Sequence, residues 1–475
     1  MIASLQRLLA FALLIALIAF ECVRGLAPAW SRVDTDFPNY LTAAKIVADR
    51  QDPRRLYDNA WFRDQMRAHG MQGEGSFNPF PPPTALVLIP LARLEPLTAL
   101  RVMTAVNVLC LICAAVLLAR ILGWSIVVSA TFVLLSGNAI IACLRFGQIY
   151  IIVSTVCILG YYAYLKGRPW LAGICFGLFA PIKYLPLIYP AYLAVRKEWN
   201  VALGAAVTIL AVALTSLAVL GWEIHETFLA SVLGHHLTAH LGSQDPFATA
   251  FQSFDTLFRR LFVLDPVLNP HPLWSAPLAS TFCTVLTKAA ILLAAAAALR
   301  QLARSGARTE GSIAPSIGLL GIIVLLIAPA TATYHFNLLW LPVALLIDYF
   351  IARGMRPLAY FLLGAYASIG FFPYQYAYPF SGRGGLTVLA YPRLFLLAAM
   401  FIACVYGAGR ISDRLERVPS AGPQALVNAG GVKKLGPAAE ALVGDDPTDE
   451  ERMRPDRPEV QNGHFTHLQG ARRDG

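Results

Sequence analysis

The residues best suited to chemistry in this chain begin at Asp34-Thr35-Asp36, followed directly by Phe37-Pro38-Asn39-Tyr40. Two carboxylates one residue apart, just past the first long apolar run, are costly to hold beside hydrocarbon, which points to a use. They alternate along the chain, so an extended segment aims them oppositely and a helix sets them about 200° apart. They therefore divide the work. One can act as a general base while the other caps the helix that Phe37-Pro38 starts. Asp34-x-Asp36 also reads literally as a DxD motif of the kind that holds a divalent cation. Further polar residues sit at other expected helix ends. Arg145 and Gln148 can neutralise a phosphate or donate to it. Lys183 lies between Pro181 and Pro186 in a broken apolar segment, where it either snorkels to the cytoplasmic surface or pairs with an anion or a carbonyl. His335 begins another helix and is suited to shuttling protons near a carboxylate. His235, His236 and His240 share helical spacing, but no further ligand joins them before Asp245, so no metal site is expected.

The elements that must position these residues are membrane helices. Of 475 residues, 57% are hydrophobic and 14% charged, against roughly 25% charged in soluble domains. Mean hydropathy is +0.58. The chain reads as an all-α polytopic membrane protein embedded in a lipid bilayer. Its net charge of +10 does not point to nucleic acid, because the basic residues fall mostly in short loops between spans. No P-loop and no Rossmann glycine pattern is present, so ATP is not expected to act here directly. The eight cysteines are scattered, and Cys110-x-x-Cys113 lacks a second pair, which makes them packing residues.

About ten spans of roughly 20 residues are expected, over 5–27, 97–119, 124–142, 147–165, 200–221, 278–299, 313–328, 337–352, 357–372 and 386–407. The first reads as an uncleaved helix. The segment 169–195 is apolar but broken at Pro181–Pro186, and reads as a re-entrant hairpin. Arg120, Lys166, Arg168, Arg196, Lys197, Arg300, Arg353, Arg356 and Arg410 mark the cytoplasmic side. Both termini then lie in the cytoplasm, and 84–94 must stay on the outer face as a surface or re-entrant helix. The outer regions are 28–96, 222–277 and short turns near Arg145–Tyr150, Pro329–His335 and Pro373–Gly385. Residues 1–410 form the membrane domain. Residues 411–475, poor in large apolar side chains, read as a disordered cytoplasmic tail.

In this order along the chain, Asp36-Phe-Pro-Asn-Tyr40 with Leu56-Tyr57-Asp58, Asn78-Pro79-Phe80-Pro81-Pro82-Pro83, Gly147-Gln148, Lys166-Gly167-Arg168 with Lys183-x-x-Pro186, Gln252-Ser253, and Pro329 with His335 resemble the motifs of glycosyltransferase family 87, integral-membrane enzymes of the GT-C superfamily. Three positions depart from that pattern: Tyr150 and Phe251 stand where Asn is usual, and Tyr334 where the first of two histidines is usual. The resemblance implies a GT-C-like bundle that takes a sugar, a mannose-like hexose or a pentose, from a polyprenyl-phosphate donor. The sugar passes with inversion to a glycolipid or glycan hydroxyl on the extracytoplasmic face of the inner cell membrane, in assembly of the cell envelope. It implies Asp36 as the base and His335 as its proton partner or a phosphate contact. Gln148, Arg145 and Lys183 would hold the donor phosphate. Asp34, Tyr40, Tyr57, Gln252 and Ser253 complete the substrate-binding set, with no metal and no other cofactor. The alternatives are a lipid or sugar transporter or flippase, and a non-catalytic family member in envelope assembly.

Overall fold

The computed structural model describes residues 2–33, 36–73, 75–78, 80–234, 245–305 and 313–416. Asp34, the histidines at 235, 236 and 240, and the chain from 417 onward, including most of the expected tail, lie outside the described residues. Among the described residues the chain is helical, with no strand. Six helices among the described residues are long and apolar enough to cross a membrane: Arg7–Ser31, Pro96–Leu122, Trp199–Leu220, Pro277–Ala303, Thr333–Ala352 and Pro392–Arg410. The chain is thus a multi-pass membrane protein. Ile126–Leu134 and Asn138–Arg145 become a seventh if read as one span bent by 70°. A helix stands at each of the ten expected positions, but those at Tyr150–Leu165, Ile313–Ile327 and Arg356–Phe371 are only 15 or 16 residues long, about 24 Å at most. Turn residues shorten them. Gly147, with φ +59°, keeps the first from starting earlier, and Pro329 lies just past the end of the second.

The expected break in 169–195 is present. Pro169–Leu178 ends short of Lys183, and the chain resumes through a 3₁₀ turn at Leu185–Leu187 into Ile188–Val195. Small residues set where the first half of this broken segment sits. A Cβ on Gly173 would lie 2.3 Å from the Val201 carbonyl, and one on Gly177 would lie 2.6 Å from that of Ala205. The Gly173-x-x-x-Gly177 face therefore lets Pro169–Leu178 lie directly on Trp199–Leu220, as small residues do between membrane helices. The stretch 84–94 is not a continuous helix but two 3₁₀ turns, Pro82–Leu86 and Ile89–Leu91. Prolines at 90 and at 81–83 interrupt any longer ladder. Lys45 Nζ donates to the carbonyls of Ala92 (2.7 Å) and Leu94 (3.0 Å), tying this stretch to the helix Phe37–Ala48.

A second break aims Gln148. At Gly137, φ is +45°, and a Cβ there would sit 2.8 Å from the Gly370 carbonyl. Partners from Thr333–Ala352 stabilise this bend: Trp340 Nε1 donates to Ser136 Oγ at 3.0 Å, and Asn337 Nδ2 to the Ala139 carbonyl at 3.0 Å. The helix Asn138–Arg145 then leads into Gly147, which packs against Phe37: a Cβ on Gly147 would fall 2.5 Å from that ring.

Overpacking a close contact costs about 1–3 kcal/mol. Gly177→Val should therefore lower the thermal unfolding midpoint in detergent by several degrees. Gly364→Val, at a helical glycine with open space around it, should leave the midpoint nearly unchanged. Equal midpoints for the two variants would contradict the close helix crossing.

Candidate active site

The loop before Phe37–Ala48, the Phe80-Pro81 turn, the start of Tyr150–Leu165, the broken segment and two later turns converge on one pocket. Its polar lining includes Asp36, Lys183 and His335, with Phe80, Tyr150, Phe251 and Tyr334 among its aromatic walls. Residues far apart in sequence therefore share one space.

Asp36 stands at the N-cap position of Phe37–Ala48 but makes no capping bond. Its carboxylate is taken by Gln148 instead, whose Nε2 donates to Asp36 Oδ2 at 2.7 Å. Gln148 Oε1 accepts from the Tyr40 hydroxyl at 2.8 Å, and the Tyr40 oxygen accepts from Lys183 Nζ at 3.0 Å. An ammonium has only donors and a carboxylate only acceptors, so the two ends fix the direction of every bond between them. The Asp36 carboxyl is half-buried at its surface but surrounded by protein. Burial pushes its pKa above the ordinary 3.8, opposed by the Gln148 hydrogen bond and the Lys183 charge. Lys183 Nζ also lies 5.1 Å from the ring centres of Phe80 and Tyr150 and 5.5 Å from that of Tyr40, where ring faces help compensate a desolvated cation. Lys183 thus faces the pocket instead of snorkelling away from it.

His335 Nδ1 accepts from the backbone N–H of Ala332 at 3.1 Å. With that nitrogen an acceptor, the neutral ring carries its proton on Nε2. Protonating Nδ1 would break the Ala332 bond. The geometry therefore favours an N–H donor over a proton acceptor for this histidine.

The other expected site residues are placed around the pocket, not in its wall. Tyr40 and Gln148 are 1% exposed and sit behind Asp36, so Gln148 orients the carboxylate and its amide is already engaged. Tyr57 donates to the Phe80 carbonyl at 2.8 Å and so holds a wall residue. Gln252 and Ser253 are fully buried. Gln252 Nε2 donates to the carbonyls of Thr249 and Ala390 and to Tyr374 Oη, while Oε1 accepts from the Arg393 amide. Ser253 Oγ donates to the Pro329 carbonyl at 2.7 Å and caps Phe254–Phe262. Both lie outside the pocket lining and stitch the Phe251 turn to the chain near 329 and 393. Every polar atom of the Gln252 amide has an internal partner. Arg145 is half-buried at the end of its helix and is not in the lining. The wall residues Phe80, Tyr150, Phe251 and Tyr334 were not expected as site residues. Their signal in the sequence was that three of the four are the motif departures, and all three meet here.

A family model described as Glycosyltransferase family 87 matches residues 78–329, more than half of the chain. No curated protein and no solved structure matches it. The matched stretch contains Gln148 and Lys183 and stops short of both Asp36 and His335. Hydrogen bonds to Asp36 and the shared pocket join those two residues to it.

Gln148→Leu removes the hydrogen bond that lowers the Asp36 pKa and breaks the link to Tyr40. The Asp36 titration midpoint should then move further up. The carboxyl stretch in infrared difference spectra, referenced to Asp36→Asn, reads that midpoint. A midpoint that stayed or fell would contradict the chain of bonds.

Proposed function

This chain belongs to glycosyltransferase family 87, and on that premise we propose that it transfers a sugar from a polyprenyl-phosphate donor to a glycolipid or glycan hydroxyl, with inversion, on the extracytoplasmic face. The observation that carries this reading is the pocket itself, in which one carboxylate, one ammonium and one imidazole face a common space. An inverting displacement needs a base for the acceptor hydroxyl and a cationic or N–H-rich site for the departing phosphate. Asp36 is the base. Gln148 holds one carboxylate oxygen, and the other has no protein donor among the described residues. The acceptor proton moves to Asp36 as the acceptor oxygen bonds to the anomeric carbon. The bond from that carbon to the phosphate oxygen breaks, and the phosphate leaves with the electron pair. Lys183 and the His335 Nε2–H receive the developing charge. A monophosphate donor carries less charge than a nucleotide diphosphate, so this reading involves no metal.

The charge pattern of the loops supports the outer face. The charge pattern assigns the Asp36 loop and the turns near Arg145–Tyr150 and Pro329–His335 to the outer side, and these are the segments that meet at the pocket. The sugar, whether mannose-like hexose or pentose, and the acceptor belong to the same proposal.

Asp36→Asn should reduce transfer by about 10²–10⁴-fold with an unchanged unfolding midpoint, assayed in liposomes with radiolabelled polyprenyl-phosphate mannose and pentose donors. Because the Asp36 pKa is raised, its base form is lost as pH falls through a value above the ordinary carboxylate range. The acid limb of kcat/KM should lie above 3.8 accordingly. Full activity of the Asn variant would remove Asp36 from the base role. Label crossing the bilayer without product would favour a flippase instead.

A further inference from the structure

Two phenol hydroxyls in the pocket have no protein hydrogen-bond partner among the described residues. Tyr150 is 4% exposed, and it stacks on Tyr334 with ring centres 5.3 Å apart and planes 27° apart. Both rings also pack against the His335 imidazole, at 4.5 Å for Tyr150 and 4.9 Å for Tyr334. Among the described residues neither hydroxyl makes a hydrogen bond to protein. A buried tyrosine usually finds one. Their neighbours narrow what would satisfy them. Lys183 Nζ lies 5.1 Å from the Tyr150 ring centre, with one N–H directed to Tyr40, and His335 carries an Nε2–H. Tyr150, Tyr334 and Lys183 therefore line this wall with groups that can donate, and among the described lining residues Asp36 is the one carboxylate.

We propose that Tyr150 and Tyr334 form a paired-phenol anion site which, with Lys183 and the His335 Nε2–H, binds the phosphate of a prenyl phosphate. The proposal rests on the donor reading above and deepens it by naming the groups that hold the leaving phosphate. It also gives a physical reason for two of the three departures from the family pattern. The two tyrosines stack on one another and on His335, so either alone would lose a partner ring, and the pair supplies two O–H donors to one anion. Phe251, the third departure, has no polar atom and closes the pocket as apolar wall.

Phenylalanine at both positions deletes the hydroxyls and keeps the ring stack. The experiment measures binding of farnesyl phosphate, farnesol and inorganic phosphate to wild type, Tyr150→Phe, Tyr334→Phe and the double variant in detergent. Unfolding midpoints are recorded alongside. Wild type should bind farnesyl phosphate at least about tenfold more tightly than farnesol or inorganic phosphate, since a hydrogen bond to a charged group is worth roughly that factor or more. Each single variant should weaken farnesyl phosphate by about tenfold and the double variant by more, with farnesol binding and midpoint unchanged. Equal farnesyl phosphate affinity in wild type and the double variant would overturn the phenol site while leaving the donor reading intact. No preference of the wild type for farnesyl phosphate over farnesol would overturn both. Tighter binding of inorganic phosphate than of farnesyl phosphate would overturn the assignment to a lipid-linked anion.

Discussion

The site depends on one run of hydrogen bonds, Lys183 to Tyr40 to Gln148 to Asp36. A lysine ammonium cannot accept and a carboxylate cannot donate, so the run has one possible direction, and it ends on the carboxylate. Every member is wholly or partly withdrawn from water, where such bonds strengthen one another and where a missing partner is expensive. Among the described residues, Lys183 is compensated by the Tyr40 oxygen and by ring faces instead of a direct ion pair. That arrangement leaves its charge available to the pocket while it still acts on Asp36.

The helices serve this run by bringing its members within bonding distance, and glycines make the approach possible. Gly173 and Gly177 seat Pro169–Leu178 against Trp199–Leu220 and so help fix the place of Lys183. Gly137 permits the bend, and Gly147 allows the chain to touch Phe37, so that Gln148 arrives beneath Asp36. Each position is small because a backbone atom or a ring occupies the space a Cβ would need. Further out, Gln252 and Ser253 tie the Phe251 turn to the segments that carry Pro329 and Arg393. They act on the pocket through its wall.

Much of this was legible from residue types. The apolar runs marked a helix at each expected position, the Pro181–Pro186 pattern marked the break, and Phe37-Pro38 marked a helix start. Span length was less legible, because counting apolar residues takes in the turn residues that end a helix, as at Gly147 and Pro329. The roles of individual polar side chains were least legible. Gln148 read as a phosphate ligand, since its partners lie 108 and 112 residues away in sequence and nothing local says that its amide turns inward. Gln252 read as a substrate contact for the same reason. Asp36 and Lys183 stood out sooner because a charge near hydrocarbon demands a partner or a function wherever it is.

The most direct measurement is an experimental structure of the protein with a non-transferable polyprenyl-phosphate-sugar analogue bound. Phosphate oxygens should lie within about 3 Å of Lys183 Nζ and His335 Nε2, with the Asp36 carboxylate facing the anomeric carbon from the side opposite the phosphate. A phosphate bound away from Lys183, or an anomeric carbon out of line with Asp36, would contradict this geometry.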